Sequence, residues 1–404
     1  MYHPSKKILE KYADVLVNFG LNSGKGVKKG EVVLLQIEEA AKPILVELYK
    51  AVLKAGAHPI VQFLPDGMDR NFFELANKEQ IKFFPGKYLK GRIDQIDHSI
   101  FMIADTDKHE LEGVDPKMIM QKSLAFKPYM DWRNEKENAG KFTWTLGLYG
   151  TKAGADEVGM SEKEYWNEIV RACYLNDKDP VKTWQKITNE VERVKNKLDS
   201  LKIEKVRIES LGGQTKSTDL IIKLGKNRQW MGGTGRNIPS FEVFISPDCR
   251  FTEGHIYFNQ PLYRYGNLIK DIYLEFKNGK VVKATAKKGE KILKQMIATK
   301  GADMVGEFSL TDSRLSKITK FMAETLFDEN MGGKYGNTHI ALGSAYKDSY
   351  PGNLKKVSKA QWGKMGYNES VVHTDIISTD NRTVTAWLPN GKTLVIYKDG
   401  KFKI

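Results

Sequence analysis

The stretch Val32-Val33-Leu34-Leu35-Gln36-Ile37 constrains the chain most, because a nearly unbroken apolar run suits a strand buried on both faces. Pro59-Ile60-Val61-Gln62-Phe63-Leu64 and Ser99-Ile100-Phe101-Met102-Ile103-Ala104 repeat the pattern, and Lys141 to Gly150 reads as a further strand. Between the first two runs a helix is expected to open at Pro43 and close at Gly56. Upstream, Ile8, Leu9, Tyr12, Leu16 and Phe19 fall at helical spacing before Gly20. Strands alternating with helices in this rhythm predict a parallel sheet with helices covering it.

Ser161-Glu162-Lys163-Glu164 is a capping box ahead of Tyr165, Ile169 and Ala172. Asp179-Pro180 then opens a long charged helix toward Leu201, with Asp as cap and Pro at the first helical position. Beyond it the texture changes to short alternating segments: Lys205 to Glu209, Asp219 to Lys223, Asp271 to Phe276 and Val281 to Ala286. Asn278-Gly279, Asn390-Gly391 and Asp399-Gly400 are hairpin-turn signals among them. With 404 residues, too many for one ordinary core, two domains are expected. Residues 1–203 should form an α/β domain with a mainly parallel sheet, covering an active site. Residues 204–404 should form a β-rich α+β domain that carries the site.

The formal charge of +14 raises nucleic acid as a partner, but the Lys and Arg residues are spread along the whole chain. Short clusters such as Lys287-Lys288 lack the aromatic interleaving of an RNA-binding sheet, so a solvated surface is the reading. No run has the length of a membrane helix or of a signal peptide, and a soluble cytoplasmic protein is expected. The two cysteines, Cys173 and Cys249, make neither a disulfide framework nor a zinc knuckle. Met231-Gly232-Gly233-Thr234-Gly235 has no P-loop Lys-Ser/Thr and reads as a tight turn.

The chemistry is concentrated near the end. In Val371-Val372-His373-Thr374-Asp375-Ile376-Ile377 a strand would point His373 and Asp375 to one face. A hydrogen-bonded structural pair is one explanation; a shared divalent cation, which compensates the burial of both, is the other. Two upstream segments carry an acid where a strand pattern calls for something apolar or small: Ser240-Phe241-Glu242-Val243-Phe244 and Val305-Gly306-Glu307-Phe308. Thr338-His339-Ile340-Ala341-Leu342-Gly343-Ser344-Ala345-Tyr346 adds a second imidazole and a phenol.

The succession Asn237-Ile238-Pro239-Ser240-Phe241-Glu242-Val243-Phe244, Gly306-Glu307, His339-Ile340-Ala341-Leu342-Gly343, Tyr346 and His373-Thr374-Asp375 resembles the thermophilic-type metalloaminopeptidases, the aminopeptidase T/S family (peptidase family M29). The resemblance covers nearly the whole chain. It implies two divalent metal ions (Zn, Co or Mn, with Mg also acceptable) held by Glu242, Glu307, His339, Tyr346, His373 and Asp375. Phe241 and the loop Lys334-Tyr335-Gly336-Asn337 depart from the family pattern.

Six ligands exceed what one ion with an open position needs, and dinuclear sites of this kind carry a bridging carboxylate and a bridging water in aminopeptidases. Glu307 or Asp375 would bridge, and Glu307 would serve catalysis. Glu253, in Phe251-Thr252-Glu253-Gly254, resembles a family Glu-Gly pair and is a second catalytic candidate. The expected substrate is a peptide with a free N-terminus, and the resemblance implies a homodimer. Two other classes compete: a mononuclear iron ring-cleaving dioxygenase using His339, His373 and Asp375, and a non-catalytic basic interaction protein.

Overall fold

A computed structural model describes residues 2–210 and 217–404. The chain divides into two compact units, the first made of Met1–Thr188, Gly233–Ser240 and Met322–Leu326 and the second of the remainder.

In the first unit the apolar runs become strands β1 (Val32–Glu38), β2 (His58–Leu64), β3 (His98–Ile103) and β4 (Thr143–Leu148). They lie in the order β2-β1-β3-β4, all parallel, and the short strand Asn237–Ile238 completes the sheet beside β4. The central strand β1 buries Val33, Leu34, Leu35 and Ile37, whereas β2 is an edge strand with Ile60, Val61 and Phe63 exposed. Helix α1 (Lys6–Asn18) starts at the Ser5 cap and buries Leu9, Tyr12 and Leu16. Helix α2 (Lys42–Lys54) has Pro in its first turn and buries Ile44, Leu48 and Val52 at four-residue intervals. The capping box at Ser161 and Glu164 is formed at the start of α3 (Glu162–Ala172).

Helix α4 (Pro180–Leu201) opens where Asp179 Oδ1 accepts the Lys182 N–H at 3.0 Å, and the second unit begins inside it at Asn189. An eight-stranded antiparallel sheet follows. Its order is Lys280–Thr285, Ile272–Lys277, Thr252–Phe258, Thr218–Lys223, Lys205–Ser210, Thr383–Trp387, Thr393–Lys398 and Lys401–Phe402. At two of its turns, Asn278-Gly279 and Asp399-Gly400, both residues have positive φ, as a tight hairpin requires. At Asn390-Gly391 only the Gly does, because the loop from Leu388 to Lys392 is longer.

The second sheet of this unit has four antiparallel strands: β5 (Glu242–Ile245), β6 (Val305–Thr311), β7 (Asn337–Gly343) and β8 (His373–Ser378), in the order β8-β7-β6-β5. Every residue of β5, β6 and β7 is buried. Such strands would ordinarily be apolar throughout. These are not.

Candidate metal centre

The register of the four-stranded sheet brings the polar residues into two adjoining rows. Ser309, His339 and Ile377 form one row across β6, β7 and β8, and Glu307, Ala341 and Asp375 form the next. Rows two residues apart share a face, so Glu307, His339, His373 and Asp375 all emerge on one side. Glu242 joins them, since it pairs with Thr311, four residues along β6 from Glu307. A bulge between Val305 and Glu307 re-aims the β6 carboxylate. Gly306 makes that bulge feasible, because a Cβ there would stand 2.5 Å from the carbonyl oxygens of Gly343 and Ser344.

His339 Nε2 lies 3.3 Å from Glu242 Oε2 and 3.4 Å from Glu307 Oε1. On the other side of the same carboxylate, His373 Nε2 lies 3.7 Å from Glu307 Oε2 and 3.5 Å from Asp375 Oδ1. Glu307 therefore offers one oxygen to each imidazole. The opposite ring nitrogens are held by acceptors: His373 Nδ1 donates to the Ser344 carbonyl at 2.8 Å, and His339 Nδ1 to Asn337 Oδ1 at 3.3 Å. Both rings then aim Nε2 at the carboxylates, the arrangement that metal-ligating histidines adopt. Ser309 Oγ donates to Glu242 Oε2 at 2.8 Å and fixes that side chain.

Such a group is costly to bury without a cation. Burial, with Glu242 and Asp375 close by, pushes the Glu307 carboxyl up to about 7 against the pull of the imidazoles. Burial opposes charge on His373 too, but Asp375 and Glu307 outweigh it and hold the ring up to about 9. His339 is held well above its ordinary value despite its burial, by Glu242 and Glu307. Burial raises Asp375, yet His373 wins and keeps that carboxyl below its usual range. Raised in this way, the carboxyl of Glu307 and the two imidazoles hold protons in the folded chain that metal binding would displace. His339 Nε2 stands within 3.4 Å of both carboxylates yet makes a well-formed hydrogen bond to neither, which fits donors that would converge on an ion.

Three overlapping trios of ligand atoms each lie within 4.8 Å: Glu242, Glu307 and His339; Glu307, His373 and Asp375; and Glu329, His339 and Asp375. Five of the six ligand positions named from the sequence thus converge. The sixth, Tyr346, follows β7; its ring centroid is 5.0 Å from that of His373, and its N–H donates to Ser246 Oγ at 2.8 Å. Glu253 is not brought to this group: it is exposed on the strand Thr252–Phe258 and accepts the Asn278 N–H at the hairpin turn.

Glu329 is the residue that sequence reasoning missed. Its carboxyl is pushed well above the usual range, first by burial and then by Glu242, Asp375 and Glu307. It lies just past the short helix Thr325–Asp328, outside any strand pattern. The available signal was Asp328-Glu329-Asn330 set between Leu326-Phe327 and Met331, a polar trio inside an apolar segment.

The family model described as Thermophilic metalloprotease (M29) matches residues 5–402. The chain belongs to the M29 family. It is therefore a metallopeptidase, a hydrolase acting on peptides. Among its relatives, aminopeptidase AmpS of Bacillus subtilis is 29% identical, the match covering 98% of each chain. Aminopeptidase PepS of Streptococcus thermophilus is 28% identical over 99% of this chain and 98% of its own. The solved structure of wild-type AmpT from Thermus thermophilus superposes with a TM-score of 0.83 at 24% identity, over 99% of this M29 chain and 100% of that one, and so shares its fold. Among the described residues no helix is long and apolar enough to cross a membrane.

Proposed function

We propose that this M29 protein is an aminopeptidase that removes the first residue of peptides with a free N-terminus, using two divalent ions. The observation that carries the reading is the position of Glu307, with one carboxylate oxygen toward His339 and the other toward His373. In this reading Glu242 and His339 would hold one ion, and His373, Asp375 and Tyr346 the other. Glu307, with one oxygen toward each imidazole, would serve both ions, a role that suits it better than Asp375. The donor set of carboxylates, imidazoles and a phenol suits Zn, Co or Mn, with Mg acceptable. When bound, the ions supply Lewis-acid activation of water and polarisation of the scissile carbonyl.

The residues do the rest. Ser309 orients Glu242, while Asn337 and the Ser344 carbonyl orient the two imidazoles. Glu329 is the carboxylate of the group outside the six-residue set that the resemblance implies, and with burial and its neighbouring carboxylates keeping it protonated it is assigned the task of holding a proton during turnover. A neutral α-amine is a further nitrogen donor, which restricts cleavage to the first peptide bond. The named activities of AmpS, PepS and AmpT support the same substrate class. The dioxygenase and non-catalytic readings find no support in the family match. The homodimer implied by the resemblance is part of the proposal, and light scattering tests it.

The direct assay is hydrolysis of unblocked aminoacyl arylamides. It should stop on chelation and return with Co, Zn or Mn, and N-acetylated substrates should stay intact. Turnover of the acetylated series at the same rate would refute the exopeptidase assignment, and activity surviving exhaustive chelation would refute the metal mechanism.

A further inference from the structure

The two imidazoles of the site are oriented by acceptors of different kinds. His373 Nδ1 meets a backbone carbonyl, that of Ser344, which no substitution removes. His339 Nδ1 meets a side chain, Asn337 Oδ1. Both Asn337 and His339 are buried, on the same face of β7 and two residues apart.

A carboxamide presents either an oxygen or an NH2 group, so its own orientation must be set by something else. Here Asn337 Nδ2 donates at 2.8 Å to the carbonyl of Asp328, an obligate acceptor. That bond turns Oδ1 toward His339, and an oxygen facing Nδ1 requires the ring hydrogen there. The ring must lose its second proton to bind an ion, and the neutral imidazole then keeps one N–H, at Nδ1, so Nε2 is left with its lone pair. The competing pull is close at hand, because Glu242 and Glu307 both stand within 3.4 Å of Nε2 and would draw the hydrogen to that side.

The geometry points to Asn337 as a positioning residue for the metal centre: through a relay from the Asp328 carbonyl it selects the His339 tautomer able to bind an ion. The inference rests on the metal-site reading proposed above. It concerns the ion held by His339 and leaves the ion held by His373 alone.

The test compares Asn337→Leu with Asn337→Asp in the full-length chain. Leu removes both hydrogen bonds at similar volume. Asp keeps an acceptor for His339 Nδ1 and loses the donor toward Asp328. Calorimetric titration of the chelated proteins with Zn should show two binding steps in the wild type. In Asn337→Leu one step should weaken by about 10- to 100-fold, the usual effect of removing such a partner. Asn337→Asp should bind both ions nearly as the wild type does. In Zn-loaded protein with 15N-labelled histidine, a protected Nδ1–H assigned to His339 should be present in the wild type and in Asn337→Asp.

Unchanged steps in Asn337→Leu would overturn the inference. So would equal weakening in both variants, since a mere brace between Asp328 and β7 fails in either. If Asn337→Leu does not fold, Asn337→Asp and its Nδ1–H signal decide: wild-type affinity with the signal supports an acceptor at position 337 as what sets the tautomer, and weakened affinity or a missing signal refutes it. A wild-type protein that binds no Zn would refute the underlying site as well, and is thereby told apart from failure of the Asn337 role alone.

Discussion

His339 Nε2 and Glu307 Oε1 stand 3.4 Å apart with both side chains sealed from solvent. An unpaired nitrogen and a carboxylate oxygen at that distance in a dry interior invite either a proton or a cation between them.

Ala341 lies between Glu307 and Asp375 in their row, and it is fully buried. Its small side chain keeps open the space the carboxylates enclose. Ala341→Leu should abolish metal binding while costing about 1–3 kcal/mol of stability in overpacking. Ala341→Gly should bind metal as the wild type does. Calorimetric titration and thermal melts read both effects; a Leu variant with wild-type metal affinity would show that this space is not the site.

In the metal-free protein, stability should fall as pH rises. Glu307, raised from 4.5 to about 7, holds more proton in the folded state than in the unfolded, so its contribution is present at low pH and lost between those values. His373, raised from 6.5 to about 9, contributes below its unfolded value and loses that contribution as pH climbs to about 9. Asp375 is depressed and acts in the opposite sense, but only below its ordinary range, outside this window. Melting temperatures of chelated protein should therefore decline from pH 5 to pH 9 in buffers of about that range, and Zn should stabilise more at the alkaline end because fewer protons must leave. A chelated protein that grows more stable across the same range would contradict the shared-proton picture.

Glu329→Gln preserves shape and removes the acid. If Glu329 holds a proton in the reaction and is not a ligand, this variant should retain two ions per chain while turnover drops by about 10²- to 10⁴-fold. Loss of an ion on substitution would reassign Glu329 to the ligand set.

Glu253→Gln should leave turnover and metal content unchanged, because the carboxylate serves the Asn278-Gly279 turn on an exposed strand. A steep fall in activity with intact folding would reinstate it as catalytic.

Much of this was legible in the residues because burial and periodicity reinforce each other there. Val32–Ile37 could hardly be anything but a buried strand, and His373 with Asp375 at a two-residue spacing declared a shared face. The strand Asn237–Ile238 was illegible as part of the parallel sheet, since two residues carry no period and its partner β4 lies far back in the chain. Glu329 was hidden because it lies past a short helix, where tertiary packing alone delivers it to the sheet. For Glu253 the local Glu-Gly pair is the only signal, and it falls at the exposed start of its strand, where Glu253 and Gly254 face solvent while Ile256 to Phe258 are buried.

The central claim is that one carboxylate, Glu307, joins two ions, and counting ions tests it most directly. Chelated wild-type protein reloaded with Co, freed of excess metal and measured by elemental analysis should hold two ions per chain. Tyr346→Phe, which keeps the ring and removes the phenol oxygen, should lose affinity for one of them, because a phenolate with an unperturbed pKa of about 10 binds only beside a cation. One ion per chain in both proteins would contradict the account.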